Sequence, residues 1–302
     1  MRIASLLPSA TEILFAVGAG PEVVGVTHEC DHPAEASRLP VLTSNAVVGE
    51  GQSSEAIDRH IRHAVHAGSS IYNLDERLLQ SLRPELIVTQ ELCEVCAVAY
   101  GQVEVAARSL PGDVPVISLE PLTLHEICAT VRSVGQFSGH VDQANSVAGE
   151  MEARIAEVGG LAQPEPRPRI ACIEWTVPMM AGGHWVPDMV DVAGGIDCLG
   201  TIGSPSRYIE WPELVAAQPD VMVLMPCGYD LDHTLALADE VVAAPRFSEL
   251  PVATSGRIIA VDGSSYFNRP GPRIVHGLEI MAAAVRAEPG ANPPEGAAWV
   301  RT

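Results

Sequence analysis

The sequence has few basic side chains and no run of them. Among its 302 residues, 18 are basic and 38 are acidic, so the formal net charge is −20 at pH 7. Proteins that bind nucleic acid or anionic membranes present clustered Lys and Arg side chains, because those partners are polyanions. We therefore exclude nucleic acid and a membrane surface as partners and attribute the acidity to solubility.

Long apolar runs are missing as well. No stretch approaches the roughly 18 residues that a membrane-spanning helix needs. Met1-Arg2 leads at once into a strand-like run, without the charged, apolar and small-residue parts of a secretory leader. We expect a cytoplasmic location for the sequence as written, and a periplasmic or extracellular one if a leader has been removed. Seven cysteines, an odd number, favour reduced thiols over a disulfide framework.

The short motifs of several large enzyme classes are also absent. The sequence contains no GxGxxG, GxxxxGK[ST] or GxSxG. These motifs cradle phosphates or expose a nucleophilic serine. Residues 28–32, His-Glu-Cys-Asp-His, have the HExxH spacing, but they stand in a loop-like stretch before a proline and not on a predicted helix. Nucleotide-binding and serine-hydrolase functions therefore lack their usual residues, and we do not predict catalysis.

Strand-like and helix-like segments alternate along the chain, which is typical of α/β folds with parallel sheets. We predict an N-terminal α/β lobe over residues 1–121, connecting helices over 122–163 and a C-terminal α/β lobe over 164–302. Each lobe should contain a mainly parallel sheet, and the connection should be a long α-helix. The predicted strands are 2–7, 23–28, 86–90 and 114–119 in the first lobe, and 169–175, 220–225 and 257–262 in the second.

Two segments carry a helix-start motif, the capping box. Its first residue accepts a hydrogen bond from the third helical N–H, while a Glu or Gln three residues on reaches back to the cap. Ser9 and Glu12 have this spacing, which predicts Ser9 as the N-cap of the first helix. Thr123 and Glu126 predict a second such start, for the connecting helix.

Four cysteines follow predicted strands: Cys30, Cys93, Cys96 and Cys227. Open α/β sheets bind their ligands at the carboxyl ends of the strands, where these thiols should lie. Cys93 and Cys96 form a CxxC pair, which is a metal half-site, a redox dithiol or two small packing residues. Such thiols suit zinc, copper(I) or the cobalt of a corrinoid.

Residues 28–32, His-Glu-Cys-Asp-His, place five potential ligands in five positions. Because side chains alternate along an extended chain, His28, Cys30 and His32 could share one side and bind one metal. The alternative is a polar loop before a proline. The ligand contacts that we expect in the first lobe are Pro8, Ser9, His28, Glu29 and Gln90.

Aromatic residues make up only 4% of the chain, yet many fall at strand ends or in loops of the second lobe. Large flat ligands such as corrins and porphyrins bury apolar area against such rings. The alternative is an aromatic cluster at a domain interface. We expect Arg269 to pair with a phosphate or an amide of the ligand. The predicted second-lobe contacts are Glu174, Trp175, His184, Trp185, Trp211, Tyr229, Tyr266, Phe267 and Arg269.

Several segments carry a family resemblance: Ser5–Gly18, Val24–Thr27 with Asp31–Pro33, Leu82–Val88, Gln218–Val223 and Arg269–Arg273. Their order and spacing resemble the helical-backbone (class III) substrate-binding proteins of ABC importers for cobalamin, ferric siderophores and haem, above all the cobalamin branch. The resemblance implies two lobes joined by a long helix, with a ligand captured in a cleft and modest lobe motion.

The resemblance also implies an ABC permease as a partner. Family members meet it through an acidic residue on a proline-bounded helix of each lobe. Here Arg77 and Pro212 stand at the corresponding places, and Glu76 and Glu213 are each one residue away. These substitutions argue against permease docking unless the register shifts by one residue.

The sequence thus predicts a cleft-type binding protein for cobalamin or a related corrinoid or metal chelate. One alternative is a cytosolic thiol-based metal-handling or redox enzyme that uses the four cysteines at the strand ends, with a metal ion bound to them. The other alternative is a siderophore or haem binding protein.

Overall fold

The chain divides into two units. Lobe one comprises Met1–Glu120 and Cys128–Glu150, and lobe two comprises Pro121–Ile127 and Met151–Thr302. Both connecting helices are therefore divided between the lobes, and the separate segment over residues 122–163 stays a prediction. The computed structural model describes residues 1–45, 53–66, 72–91, 99–287 and 291–301.

Four parallel strands form the sheet of lobe one. They are β1 (Ile3–Ser5), β2 (Val23–Gly25), β5 (Leu86–Thr89) and β6 (Val116–Ser118), in the order β2-β1-β5-β6. Most of their residues are buried, as expected for a parallel sheet that is covered on both faces. All four correspond to predicted strands. A separate antiparallel pair, which the sequence analysis did not identify, consists of β3 (Thr43–Asn45) and β4 (Tyr72–Leu74).

Helices connect the strands of lobe one. The apolar core on one face of the sheet joins β1 and β5 to the helices over residues 76–82 and 100–108, through residues such as Leu6, Leu79 and Val103. Short 3-10 turns cover Gly20–Glu22 and Ala36–Arg38. The α-helices are α1 (Pro8–Ala16), α2 (Ser54–His66), α3 (Glu76–Leu82) and α4 (Tyr100–Arg108).

The start of α1 shows that the first predicted capping box is wrong. Leu7 is the N-cap residue, Pro8 takes the first helical position, and the buried Ser9 hydroxyl has no hydrogen-bond partner. Proline suits this position because its fixed φ is helical and the missing N–H would have no intrahelical acceptor there. The second cap is confirmed, since the Glu126 N–H donates to Thr123 Oγ1 at 3.2 Å.

Two consecutive helices form the connection, α5 (Leu124–Ser138) and α6 (Val141–Gly159). The break falls at Gly139, which has a positive φ of 81°. Around the break the helices cross closely, because a Cβ on Gly135 would lie 2.1 Å from the Ala144 Cβ. Beside the break, His140 Nε2 lies 2.8 Å from Glu22 Oε1, an ion-pair contact that ties this corner to lobe one.

A seven-stranded sheet forms the centre of lobe two. Its middle strands, β7 (Arg169–Thr176), β11 (Val221–Leu224) and β12 (Ile258–Val261), are parallel, as predicted. The antiparallel edges were not foreseen. These outer strands are β8 (Met179–Ala181), β10 (Arg207–Tyr208) and β13 (Ala297–Trp299), while the short β9 (Ile196–Asp197) pairs with β7 in parallel. The order is β10-β8-β7-β11-β12-β13.

Six α-helices and a 3-10 turn over Phe247–Glu249 accompany this sheet. On one face of the sheet, a continuous apolar core includes Ile173, Leu214 and Met222. Across the described ranges, no helix combines the length and the apolar character that a bilayer-spanning segment needs. The helices are α7 (Val186–Val192), α8 (Trp211–Ala217), α9 (Leu231–Val242), α10 (Pro251–Ser255), α11 (Gly263–Tyr266) and α12 (Ile274–Arg286).

An arginine-capped corner precedes β5 in lobe one. The Arg2 backbone N–H donates to Glu85 Oε2 at 2.7 Å, and Arg2 Nε donates to the Leu82 carbonyl at the end of α3 at 2.6 Å. Arg83 ends α3 in the left-handed conformation, with φ of 46°. A cation at this position also offsets the partial negative charge of the helix carboxyl end.

The same corner recurs in lobe two, before β11. The Arg169 N–H donates to Asp220 Oδ2 at 2.7 Å, and Arg169 Nε donates to the Ala217 carbonyl at the end of α8 at 2.7 Å. Gln218 ends α8 with φ of 45°. The two lobes therefore share one structural unit, in which α3 corresponds to α8 and β5 corresponds to β11.

Two glycines in helices test how tightly these elements pack. A Cβ on Gly277 in α12 would lie 2.0 Å from the Tyr266 carbonyl oxygen, whereas a Cβ on Gly149 in α6 would meet nothing within 4 Å. Helix propensity alone favours alanine by up to ~1 kcal/mol at either site. We expect Gly149→Ala to stabilise by that amount, and Gly277→Ala to destabilise by about 1–3 kcal/mol through overpacking. Urea unfolding of both variants measures the sign of each change in the free energy of unfolding.

Candidate functional site

His28 follows β2 in lobe one and is held by hydrogen bonds. Its Nδ1 lies 2.7 Å from Thr43 Oγ1, and its backbone N–H donates to the same oxygen at 3.1 Å. Its Nε2 lies 3.4 Å from Glu29 Oε1, and the imidazole side chain is 24% exposed. The Tyr72 ring lies 5.2 Å away between centroids. The strand pair β3–β4, which supplies Thr43 and Tyr72, thus fixes this imidazole.

Cys30 belongs to the core of lobe one. The residue is 5% exposed, and its Sγ hydrogen-bonds with the hydroxyls of Thr11 and Thr27, each at 3.1 Å. His32 is exposed. The structure therefore does not bring His28, Cys30 and His32 together as a ligand set. Among the described residues, no three His, Cys, Asp or Glu side chains are grouped to hold a metal.

The other cysteines of the predicted metal site are placed differently. Cys93 and Cys96 lie outside the described residues. Cys227 is half-buried after β11, and its backbone N–H donates to the Glu174 carbonyl at 3.1 Å. The predicted cysteine site stays a prediction.

Polar groups without partners lie where β1 and β5 end. Ser9 is 1% exposed, Thr89 0% and Gln90 5%. Within the part of the chain that the structure describes, the Ser9 and Thr89 hydroxyls and the Gln90 amide nitrogen have no hydrogen-bond partner. Ser5 pairs with Val88 in register, so the segments that follow the two strands leave the same edge of the sheet. Each unpaired buried group costs about 1–3 kcal/mol, which marks this edge, with the half-buried Pro8, as a candidate site.

Glu174 occupies an irregularity of β7, where the pairing with β8 shifts register between Ile173 and Trp175. Ser206 Oγ donates to Glu174 Oε2 at 2.7 Å, and the Gly183 backbone N–H donates to the same carboxylate. Burial raises the pKa of the Glu174 carboxyl, and these two hydrogen bonds oppose the shift. The carboxylate therefore links β7 to two loops of lobe two.

Trp175 and Tyr229 form an aromatic pair at the carboxyl ends of β7 and β11. Their ring centroids are 5.6 Å apart with an interplanar angle of 65°, and both residues are half-buried. Trp175 Nε1 donates to the Val177 carbonyl at 3.1 Å. His233 lies 6.0 Å from Tyr229 between ring centroids. Both residues of this pair therefore remain partly exposed, as do the predicted contacts Trp211 and Tyr266.

Trp185 and Phe267 belong to the packing of lobe two. Phe267 is 0% exposed and Trp185 8%, and Trp185 Nε1 donates to the Phe267 carbonyl at 2.8 Å. This bond fastens the start of α7 to the end of α11. His184 precedes Trp185 with a positive φ of 53°, and burial lowers the pKa of its imidazole.

The remaining predicted contacts also lie in packed positions. The Tyr266 ring is 4.6 Å from His276, and the backbone of Gly296 lies against it. Trp211 packs against the apolar core of lobe two as the first residue of α8. Arg269 is 9% exposed. These residues support the site elements, and their predicted contact with a ligand stays a prediction.

Sequence reasoning did not find the partners that hold the predicted residues. Ser206 lies 32 residues from Glu174, and Thr43 lies 15 residues from His28. Both are hydroxyl residues in stretches without a motif. No local pattern points to them, because their role comes only from contact across the fold.

Comparisons with known proteins agree with this architecture. Residues 3–264 match the profile of a family described as periplasmic binding protein. A vitamin B12-binding protein of Vibrio parahaemolyticus is 20% identical over 279 residues, which cover 92% of this chain and 86% of that protein.

Two solved structures show the same fold. The periplasmic vitamin B12 binding protein BtuF of Vibrio cholerae superposes with a TM-score of 0.69 at 19% identity, over 94% of this chain and 96% of that one. The periplasmic heme-binding protein RhuT from Roseiflexus sp. RS-1 gives 0.67 at 25% identity, over 94% and 97%. The two-lobed α/β fold and the family resemblance are thereby confirmed.

The pKa of Glu174 predicts a pH dependence of stability. Because burial raises that pKa above the usual 4.5, the folded protein keeps a proton that the unfolded chain has lost. The resulting stability is present below pH 4.5 and is lost as the pH rises through the folded pKa. We expect Glu174→Gln to abolish this loss, measured by urea unfolding between pH 4 and 8.

Glu22 provides a control, because its pKa is shifted in the opposite direction to that of Glu174. The hydrogen bond with His140 lowers the Glu22 pKa below 4.5, so the stability it contributes is lost as the pH falls through the folded pKa. Glu22→Gln should therefore change only the acid side of the profile. A Glu174→Gln profile parallel to that of the wild type above pH 4.5 would show that the Glu174 pKa is not raised.

Proposed function

Because the chain belongs to the periplasmic binding protein family, we propose that it is a binding protein for cobalamin or a closely related corrinoid. Two kinds of observation support the proposal. The family profile matches residues 3–264, and the Vibrio parahaemolyticus relative that matches 92% of the chain is named a vitamin B12-binding protein. Within lobe two, the carboxyl edge of the sheet presents aromatic surface.

The observation that carries the proposal is the Trp175–Tyr229 pair. The two residues are half-buried and their ring centroids lie 5.6 Å apart. Trp175 belongs to β7 and Tyr229 to the loop after β11, and these strands are the two central ones of the sheet. Aromatic rings bury large apolar areas against a flat ligand at a low cost in side-chain entropy. A macrocycle as large and flat as a corrin suits such a surface better than a small polar ligand does.

Lobe one would supply polar contacts. The Ser9 hydroxyl and the Gln90 amide nitrogen are buried donors without partners at the edge of the sheet. A corrin ring carries neutral carboxamide groups, which accept hydrogen bonds through their oxygens. Donors of this kind pair with an amide oxygen without the need for a charged partner.

Haem is a second candidate, because the similar structure from Roseiflexus is a heme-binding protein. Haem carries two carboxylates at neutral pH, and this chain has a net charge of −20 with no lysine. A strongly acidic protein repels an anionic ligand during encounter. This charge favours the corrinoid over haem.

The proposal includes a partner: the protein with its bound corrinoid would deliver the ligand to an ABC permease. Arg77 on α3 and Pro212 on α8 occupy equivalent positions of the two repeated corners and are exposed. Glu76 is exposed beside Arg77, whereas Glu213 is in contact with Arg207. A permease that recognises acidic side chains would contact Glu76 and Glu213. The cytoplasmic location expected from the sequence stays a prediction.

Calorimetric titration with hydroxocobalamin, cobinamide and hemin tests the proposal. We expect stoichiometric corrinoid binding, and Trp175→Ala or Tyr229→Ala should weaken it by about 2 kcal/mol or more, roughly thirtyfold, as removal of a central aromatic contact does. Tyr208→Ala is the matched control, because that ring is 46% exposed on the edge strand β10. It should leave the affinity unchanged.

Other outcomes identify other ligands. Absence of binding to both corrinoids would overturn the proposal, and binding of hemin alone would establish the second candidate. The paired change Cys93→Ser and Cys96→Ser should leave corrinoid affinity intact. If it instead abolishes binding, a thiol is an axial or reductive partner of the corrinoid cobalt.

A further inference from the structure

His184 has a backbone conformation that its place in the fold does not require. Among the described residues, three that are not glycine have a positive φ: Arg83, His184 and Gln218. Arg83 and Gln218 each end a helix, where the left-handed conformation is the usual cap. His184 lies in the loop between β8 and α7 and ends no helix. For a residue with a Cβ this conformation costs about 1–2 kcal/mol.

The surrounding loop holds His184 in this conformation. The His184 N–H donates to the Ser204 carbonyl at 2.6 Å, and the Gly203 N–H donates to the His184 carbonyl at 3.0 Å. Gly183 permits this contact, since a Cβ there would lie 2.3 Å from the Ser206 nitrogen. The Glu174 carboxylate binds both Gly183 and Ser206 and locks the two loops together. The backbone strain is therefore built into the loop pair.

Among the described residues, none hydrogen-bonds with the imidazole of His184, although this residue is half-buried. The other described histidines with partly buried side chains all have one. His28 bonds with Thr43, His140 with Glu22, and His276 with the Glu295 carbonyl. The Trp185 ring lies 5.8 Å from the His184 ring between centroids.

His184 therefore carries a neutral imidazole, and one of its ring nitrogens has a free lone pair. Burial lowers the pKa of His184, so at neutral pH the ring carries no charge. Trp185, which is fastened by its bond to the Phe267 carbonyl, restrains the ring from one side. Neutral imidazole is the most common nitrogen ligand of protein-bound metals.

We propose that His184 donates a ring nitrogen to the metal of the bound chelate, at an axial position. The inference rests on the proposed function, since it requires a planar metal chelate with an exchangeable axial site, such as an aquo-cobalt corrinoid or a ferric porphyrin. A nitrogen–metal bond forms, and the metal-bound water leaves. The oxidation state and the proton count of the complex do not change.

His28 is the closest rival. It is also a partly exposed imidazole, and it lies beside an expected ligand edge in lobe one. Its Nδ1 is engaged by Thr43 and its Nε2 lies 3.4 Å from the Glu29 carboxylate, so neither nitrogen is without a neighbour. Coordination by His28 would require one of these contacts to break.

Visible absorption of bound aquocobalamin tests the assignment. Replacement of the axial water by imidazole shifts the cobalt-sensitive bands, so we expect a shift with the wild type and with His140→Ala. His140 is the matched control, because it is a partly buried histidine that is bonded to Glu22 and is not among the expected ligand contacts. His184→Gly should lose the shift, and free imidazole should restore it. We expect this variant to bind aquocobalamin at least about tenfold more weakly, since a metal bond is lost. Cyanocobalamin, whose axial site is blocked by cyanide, should bind both proteins equally without a shift.

The choice of glycine keeps the result interpretable. Glycine adopts a positive φ without a steric penalty, so His184→Gly should melt at or above the temperature of the wild type. The same titrations with hemin distinguish the ligand source, because a Soret shift that depends on His184 would identify a porphyrin.

The failures are distinct. If the wild type binds aquocobalamin or hemin without a band shift, or if the shift survives in His184→Gly, the assignment of His184 is overturned and the proposed function remains. If neither corrinoids nor hemin bind, the proposed function fails and the assignment fails with it.

Discussion

The rest of the structure depends on one parallel strand pairing in each lobe. In each case the first strand of the lobe pairs with the strand that follows an arginine-capped corner. β1 pairs with β5 in lobe one, and β7 pairs with β11 in lobe two. Each pairing begins beside a hydrogen bond from an arginine backbone N–H to a carboxylate. Arg2 donates to Glu85 in lobe one, and Arg169 donates to Asp220 in lobe two. Since parallel strands end at one edge, this register delivers the segments after all four strands to the carboxyl edge of their own sheet.

At that edge the two lobes differ in chemistry. Lobe one places buried donors after β1 and β5, and it fixes His28 through the β3–β4 pair. Lobe two places the Trp175–Tyr229 pair after its central strands. Lobe one therefore offers hydrogen-bond donors at the edge of its sheet, and lobe two offers ring surface at the edge of its own.

The register shift of β7 matters most for lobe two. It frees Glu174 from regular pairing, and the carboxylate then binds the loops that carry Gly183 and Ser206. Those loops hold His184 in the left-handed conformation, with a neutral ring that lacks a hydrogen bond. A single irregularity in a strand thus determines the placement of a side chain ten residues later. Strain held in this way is found preferentially at functional sites.

The sequence by itself determined the alternation of strands and helices, the parallel sheet centres and the helix start at Thr123, because periodicity and capping are local properties. It did not reveal that Pro8 rather than Ser9 starts α1, or that sheet edges are antiparallel. Only tertiary structure decided which predicted contacts face inward. Cys30, Trp185 and Phe267 have the same residue types as accessible ligands would have, but neighbours distant in sequence bury them. For the same reason the backbone conformation of His184 is decided only in the folded protein, where Ser204 and Glu174 lie beside its loop.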